Sequence, residues 1–226
     1  MKTKLLLLRT ALGLAGALAS ASPFAVNYDF AGEPGDQTST AGTSTSLLVS
    51  GPIVDRGPGI GATSAGNSIS SNGWDALDPS EDYFSFRFEV DSGYFANITN
   101  LKIGTRSSNT GPGDLGLVYS GDNFTSTLYT FTQSGINFLN SDIQLNLANL
   151  TDEVEFRIIA LSDTRADGAT GITSGGTFRI VNYFAGGDTG GITFSGTLEA
   201  IPEPSVALMA LLGIGILAKV MRRKTQ

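Results

Sequence analysis

The chain has 226 residues, 29 glycines, a net charge of −7, and neither cysteine nor histidine. Without cysteine there is no disulfide, thiolate nucleophile or thiolate metal site; without histidine there is no Ser-His-Asp triad, imidazole base or imidazole ligand. Hydrophobic residues make up 41% and charged ones only 15%, too apolar for a disordered chain, while the acidic balance argues against a nucleic-acid partner.

Residues 1–21 have the three parts of a secretory signal peptide. Lys2 and Lys4 form the positive start. Leu5–Leu8 and Ala11–Leu18 form the apolar stretch, interrupted by Arg9, and Ala19-Ser20-Ala21 is a small-x-small site. Cleavage by signal peptidase is expected between Ala21 and Ser22, with Ala19 and Ala21 as the small residues it reads.

From residue 24 to 201 the apolar period is two. Phe84, Phe86, Phe88 and Val90 share one face, and Tyr83, Ser85, Arg87 and Glu89 the other. The same alternation runs through Asp142–Leu147, Val154–Ile158 and Ile192–Leu198, each the pattern of a half-buried antiparallel strand. Phe24–Phe30, Leu47–Val49, Ile98–Thr105, Leu115–Tyr119, Thr127–Thr132 and Thr177–Phe184 are further candidates. About ten short strands with turn-rich connections and no amphipathic helical stretch predict an all-β, antiparallel β-sandwich of jelly-roll type. Residues 35–73 are looser, with 21 of 39 being Gly, Ser or Thr. They read as long loops within one ectodomain spanning 22–201, with Leu47–Val49 and Ile53-Val54 as apolar anchors.

The tail, 202–226, opens with Pro202-Glu203-Pro204, rigid and extended because each proline fixes its own φ and restricts its predecessor. An apolar stretch follows from Val206 to Met221, 16 residues or about 24 Å as a helix, a short single transmembrane segment. Lys219, Arg222, Arg223 and Lys224 form the membrane stop, placed on the cytoplasmic side by the positive-inside rule. The Pro-Glu-Pro triplet, the glycine-containing apolar helix and the basic end, in that order, closely resemble the PEP-CTERM sorting signal of bacterial surface proteins. The resemblance implies recognition of Pro202, Glu203 and Pro204 by an exosortase. It also implies a precursor transiently anchored in the inner membrane of a Gram-negative-type bacterium, then a place at the cell surface or in the extracellular matrix. There it would be a structural or adhesive protein of a biofilm or exopolysaccharide context. Gly73-Trp74, Asp82-Tyr-Phe-Ser-Phe86, Arg106-Ser-Ser-Asn-Thr-Gly-Pro112, Val154-Glu-Phe-Arg157 and Gly176-Thr-Phe-Arg-Ile180 loosely resemble a jelly-roll-like ectodomain found with this tail. That likeness implies a sandwich and no activity.

Residues that could carry chemistry are few, and no catalytic set emerges. Asp75, Asp78, Glu81 and Asp82 crowd one loop, where oxygen ligands could hold a structural Ca²⁺, although the spacing fits no EF-hand and the simpler reading is a solvated acidic loop. Trp74, the single tryptophan, reads first as a core plug and second as a sugar-stacking face. Tyr83, Tyr119 and Tyr183 could extend such a face, which would make the domain a carbohydrate-binding module. A glycan-active hydrolase or lyase would need paired carboxylates or a base that the sequence does not single out. Arg87, Arg157 and Arg179 occupy strand positions, with Glu89 and Glu155 nearby as ion-pair partners on the wet face. Once both ends are removed, 7 basic residues face 20 acidic ones over 22–201, a net charge of −13. Such a surface repels an anionic polysaccharide at low salt unless divalent cations bridge the two.

Overall fold

The computed structural model describes residues 20–184 and 190–202. Residues 1–19, with Ala19, lie outside the described residues, as do Glu203, Pro204, the apolar segment 206–221 and the cations Lys219, Arg222, Arg223 and Lys224. Among the described residues no helix is long and apolar enough to cross a membrane.

The strands are β1 (Ser22–Tyr28), β2 (Ser39–Ala41), β3 (Thr43–Ser44), β4 (Val49–Arg56), β5 (Gly61–Ala62), β6 (Ser68–Asn72) and β7 (Tyr83–Val90). They continue with β8 (Tyr94–Ser107), β9 (Asp114–Tyr119), β10 (Tyr129–Thr132), β11 (Leu139–Leu150), β12 (Asp152–Ala160), β13 (Phe178–Val181) and β14 (Ile192–Ala200). They form two sheets: eight strands in the order β3-β1-β14-β8-β13-β6-β5, with β11 also on β8, and six in the order β10-β9-β12-β7-β4-β2. The sheets pack face to face as a jelly-roll-like antiparallel sandwich, as the alternation predicts.

The alternation works because each strand offers one apolar face to the other sheet. Phe84, Phe86, Phe88 and Val90 of β7 are buried, and Glu89 between them is exposed. Phe194 of β14 crosses the interior and lies 4.6 Å from the Phe156 ring, 5.6 Å from Phe86 and 6.2 Å from Phe88, joining the two sheets. Fully burying a phenylalanine contributes about 1.5–3 kcal/mol before any aromatic geometry is counted.

The organising strand of the larger sheet is β8. On one edge it pairs with β11; on the other it pairs with β13 over Ser107–Gly104 and then with β14 over Lys102–Tyr94. The chain between β13 and β14 therefore leaves the ladder and rejoins it beside the same strand. After β13, Phe184 N–H donates to Asn140 Oδ1 on β11, 2.9 Å away, so residues 182–184 pass over β8. A side chain at Gly104 would lie 2.3 Å from the Asn182 carbonyl oxygen, so the crossing needs a residue without Cβ there.

Residues 35–73 are not simply loops. They supply β2 to β6 and reach both sheets. Leu47 is 99% exposed and anchors nothing, whereas Val49 and Val54 are buried in β4. Arg56 ties the segment together: Nε donates to the Ser70 carbonyl at 2.9 Å, and Nη1 and Nη2 donate to the Gln37 and Gly35 carbonyls at 2.5 Å. Burial lowers the Arg56 pKa, and nearby Asp36 works in the opposite direction.

Candidate functional site

Trp74 belongs to the core. It is 0% exposed, its indole N–H donates to Ser71 Oγ at 3.0 Å, and its ring packs against Phe84 and Phe178 at 5.8 and 5.7 Å. A sugar cannot stack on a ring with no free face, so the second reading of Trp74 is corrected. In the acidic loop beside it Asp75, Asp78 and Glu81 are exposed and only Asp82 is buried. Asp78 Oδ1 accepts from the Ser80 N–H and hydroxyl at 2.9 and 2.6 Å, which holds its carboxyl below the usual range. Asp82 is buried and its Oδ2 accepts from the Asp78 N–H at 3.0 Å. Among the described residues no three acidic side chains converge as a metal site would require.

The tyrosines do not form one platform. Tyr83 lies under the Arg157 guanidinium, 3.9 Å from ring centre to Cζ, with Phe124 also within 4.1 Å of that cation. Tyr119 stacks on Phe156 at 6.3 Å. Tyr183 follows β13 in the other sheet and lies 5.5 Å from the Lys102 ammonium.

The arginines sort by sheet. On the outer face of the six-stranded sheet Arg87 pairs with Asp55 on β4, not with the exposed Glu89 expected from sequence spacing. Arg157 Nε donates to Glu155 Oε1 at 2.7 Å, and the same oxygen accepts from the Ser85 hydroxyl at 2.8 Å. Each of these cations is matched by a carboxylate on its own face.

The eight-stranded sheet is arranged differently. Arg179 of β13 stands directly opposite Arg106 of β8 in the antiparallel register. Both guanidinium groups lie over the ring of Phe138, at 4.7 Å for Arg106 and 5.6 Å for Arg179. Among the described residues neither has an ion-pair partner. Burial, and then the neighbouring Arg106 charge, lower the Arg179 pKa. The pair borders a cleft of about 280 Å³ lined also by Thr63, Ser64, Ser70, Ser108, Thr177 and Ile136. Ile136 in its lining is 57% exposed, and Phe138, which packs on both arginines, is 54% exposed. Ser64 on the wall donates its hydroxyl to Asp36. Aromatic face, hydroxyl lining and two cations together suit a polar, ring-shaped, negatively charged ligand.

Sequence reasoning placed Arg179 on a wet strand face but had no means of finding its partner. Arg106 lies far away in sequence, and only the β8–β13 register brings the two together.

Residues 200–224 match the PEP-CTERM protein-sorting motif, so the chain carries the sorting signal of an exported bacterial surface protein. Pro202 is its last described residue and stands two positions beyond Ala200, where β14 ends. No curated protein matches the chain. Similar solved structures include a family 29 carbohydrate-binding module mutant complexed with mannohexaose. It is 13% identical, with 78% of this chain and 92% of that one covered and a TM-score of 0.39. A second mutant of that module family is 13% identical over 76% of this chain and 92% of its own, with a TM-score of 0.38.

Proposed function

We propose that the chain is a non-catalytic component of the extracellular matrix. It is exported past signal peptidase, held in the inner membrane by its tail, and processed by an exosortase that reads Pro202, Glu203 and Pro204. The sandwich then stays at the cell surface in contact with extracellular polysaccharide. The observation that carries this reading is the sorting motif at 200–224, which begins at Ala200, the final residue of β14. The role in the matrix is structural or adhesive, and it calls for no cofactor.

The test is to delete residues 202–226 in the native host and fractionate cells. Loss of the protein from membrane and matrix, with recovery in the periplasm or medium, is the expected result. An unchanged distribution would overturn it. Whether the matrix contact exists is a separate measurement: retention of the processed protein on the host's own polysaccharide, with release of the protein on enzymatic removal of that polysaccharide.

A further inference from the structure

From the opposition of Arg106 and Arg179 beneath Phe138, we infer that this cleft is a binding subsite for the carboxylate of a uronic-acid residue in an acidic polysaccharide. The inference rests on the reading that the exported domain contacts polysaccharide, and specifies where and by what chemistry.

Two like charges placed directly opposite each other across a sheet destabilise it, so an isolated pair calls for a compensating anion. Every other arginine described has found its counter-group: Arg87 and Arg157 have carboxylates, Arg165 has Asp167 at 2.5 Å, and Arg56 has three backbone carbonyls. Arg106 and Arg179 have only an aromatic ring. That leaves their planar N–H forks directed at no acceptor among the described residues. A guanidinium fork matches a carboxylate in two parallel hydrogen bonds, whereas a neutral hydroxyl offers no such match.

The remainder of the cleft selects a sugar over a simple anion. Its walls carry the hydroxyls of Ser64, Ser108 and Thr177 and the exposed Ile136, and the exposed Phe138 ring packs on its two arginines. Polar groups at a few points around apolar faces are what a sugar ring with axial and equatorial substituents can use. The setting makes the site selective as well. A domain of net charge −13 over 22–201 repels a polyanion at a distance. Attachment therefore has to occur at a local concentration of cations, and this is one.

Affinity electrophoresis and calorimetry of the processed protein test this with three probes: polygalacturonate, the same polymer with its carboxyls reduced to alcohols, and neutral mannan. The result expected is binding of polygalacturonate that persists in EDTA, with weak or no binding of the other two. Arg106→Gln and Arg179→Gln each lower affinity about tenfold or more, one charge-assisted contact being worth 1.4 kcal/mol or above. Arg179→Lys keeps the charge without the fork and recovers only part of the loss. Phe138→Ala, at an exposed position, gives a second readout should either arginine variant fold poorly. Equal binding of the acidic and reduced polymers, unaffected by the arginine changes, overturns the carboxylate subsite and leaves the polysaccharide reading standing. Binding abolished by EDTA and indifferent to the arginines also overturns it, because divalent bridging then holds the polymer. No binding of any of the three polymers overturns the subsite, and if the host's own polysaccharide also fails to retain the protein, the polysaccharide reading falls with it.

Discussion

The two outer faces of this sandwich solve the same problem in opposite ways. Each buries an apolar side against a shared core, and each carries arginines on the side away from it. On the six-stranded sheet Arg87 and Arg157 are closed off by Asp55 and Glu155, and Arg157 is further covered by Tyr83 and Phe124. On the eight-stranded sheet Arg106 and Arg179 face each other with no carboxylate paired to them among the described residues. A satisfied charge network stiffens a surface and offers a ligand little, since any newcomer must compete with contacts already made. An unsatisfied pair carries an energetic cost that a ligand can relieve. The difference marks which face is structural and which is available for binding.

The largest expected effect comes from breaking what both faces stand on. Phe194→Ala removes the ring that meets Phe86, Phe88 and Phe156, and leaves a cavity that neither sheet can close. Loss of about 3–5 kcal/mol in denaturant unfolding is expected, with both faces affected together. Next is Glu155→Ala on the closed face. It deprives Arg157 and Ser85 of one shared acceptor, with side-chain exposures of only 19% and 14% for the arginine and glutamate. The expected loss is about 1–3 kcal/mol, read as a shift in the unfolding midpoint without a change in slope. Arg179→Gln on the open face should go the other way. Removing one of two opposed cations leaves stability unchanged or raises it by up to about 0.5 kcal/mol, measured in the same titration. A loss comparable to that of Glu155→Ala would mean the open face is as closed as the other.

Much of the sandwich is legible from period-two patterning, because β7 buries an apolar residue at every second position and β12 does so from Val154 to Ile158. β6 is not legible. Its Ser68, Ser70 and Ser71 are all buried, and serine carries no hydrophobic signal. They are tolerated because their hydroxyls have partners: Ser71 receives the Trp74 indole N–H, Ser70 meets the Thr63 hydroxyl at 2.8 Å, and Ser68 donates to the Ala65 carbonyl. The ion pairs show the same limit. Spacing along one strand offers Glu89 to Arg87, yet the partner is Asp55 on a strand whose register contains an irregularity between Ser50 and Ile53. The open arginine pair is least legible of all, since Phe138 lies just before β11 and meets the arginines only through strand pairing.

The smallest effect concerns acid. The segment that leaves β13 begins at Asn182, whose side chain accepts from the Phe30 N–H at 2.9 Å and donates to Asp29 at 2.6 Å. The Asp29 carboxyl also accepts from the Ala31 N–H, and these bonds, the backbone one first, hold its pKa below the ordinary value. A carboxyl whose folded pKa is depressed contributes its stability above the unfolded pKa of about 4, and loses it as pH falls through the folded value. Asp29 is mostly solvated, so its contribution to the whole domain is small. Its local effect should be clearer, because Asn182 secures residues 182–184 where they pass over Gly104 of β8, two residues from Arg106. Lowering the pH from 5 to 3 should speed amide exchange at Phe30 and Phe184 before it does so at Phe156 or Phe86 in the closed sheet. In Asp29→Asn, which keeps an acceptor oxygen without the charge, that early acid loosening should disappear. If both sheets loosen together in the native chain, the two faces differ in their ligand chemistry alone and not in their local stability.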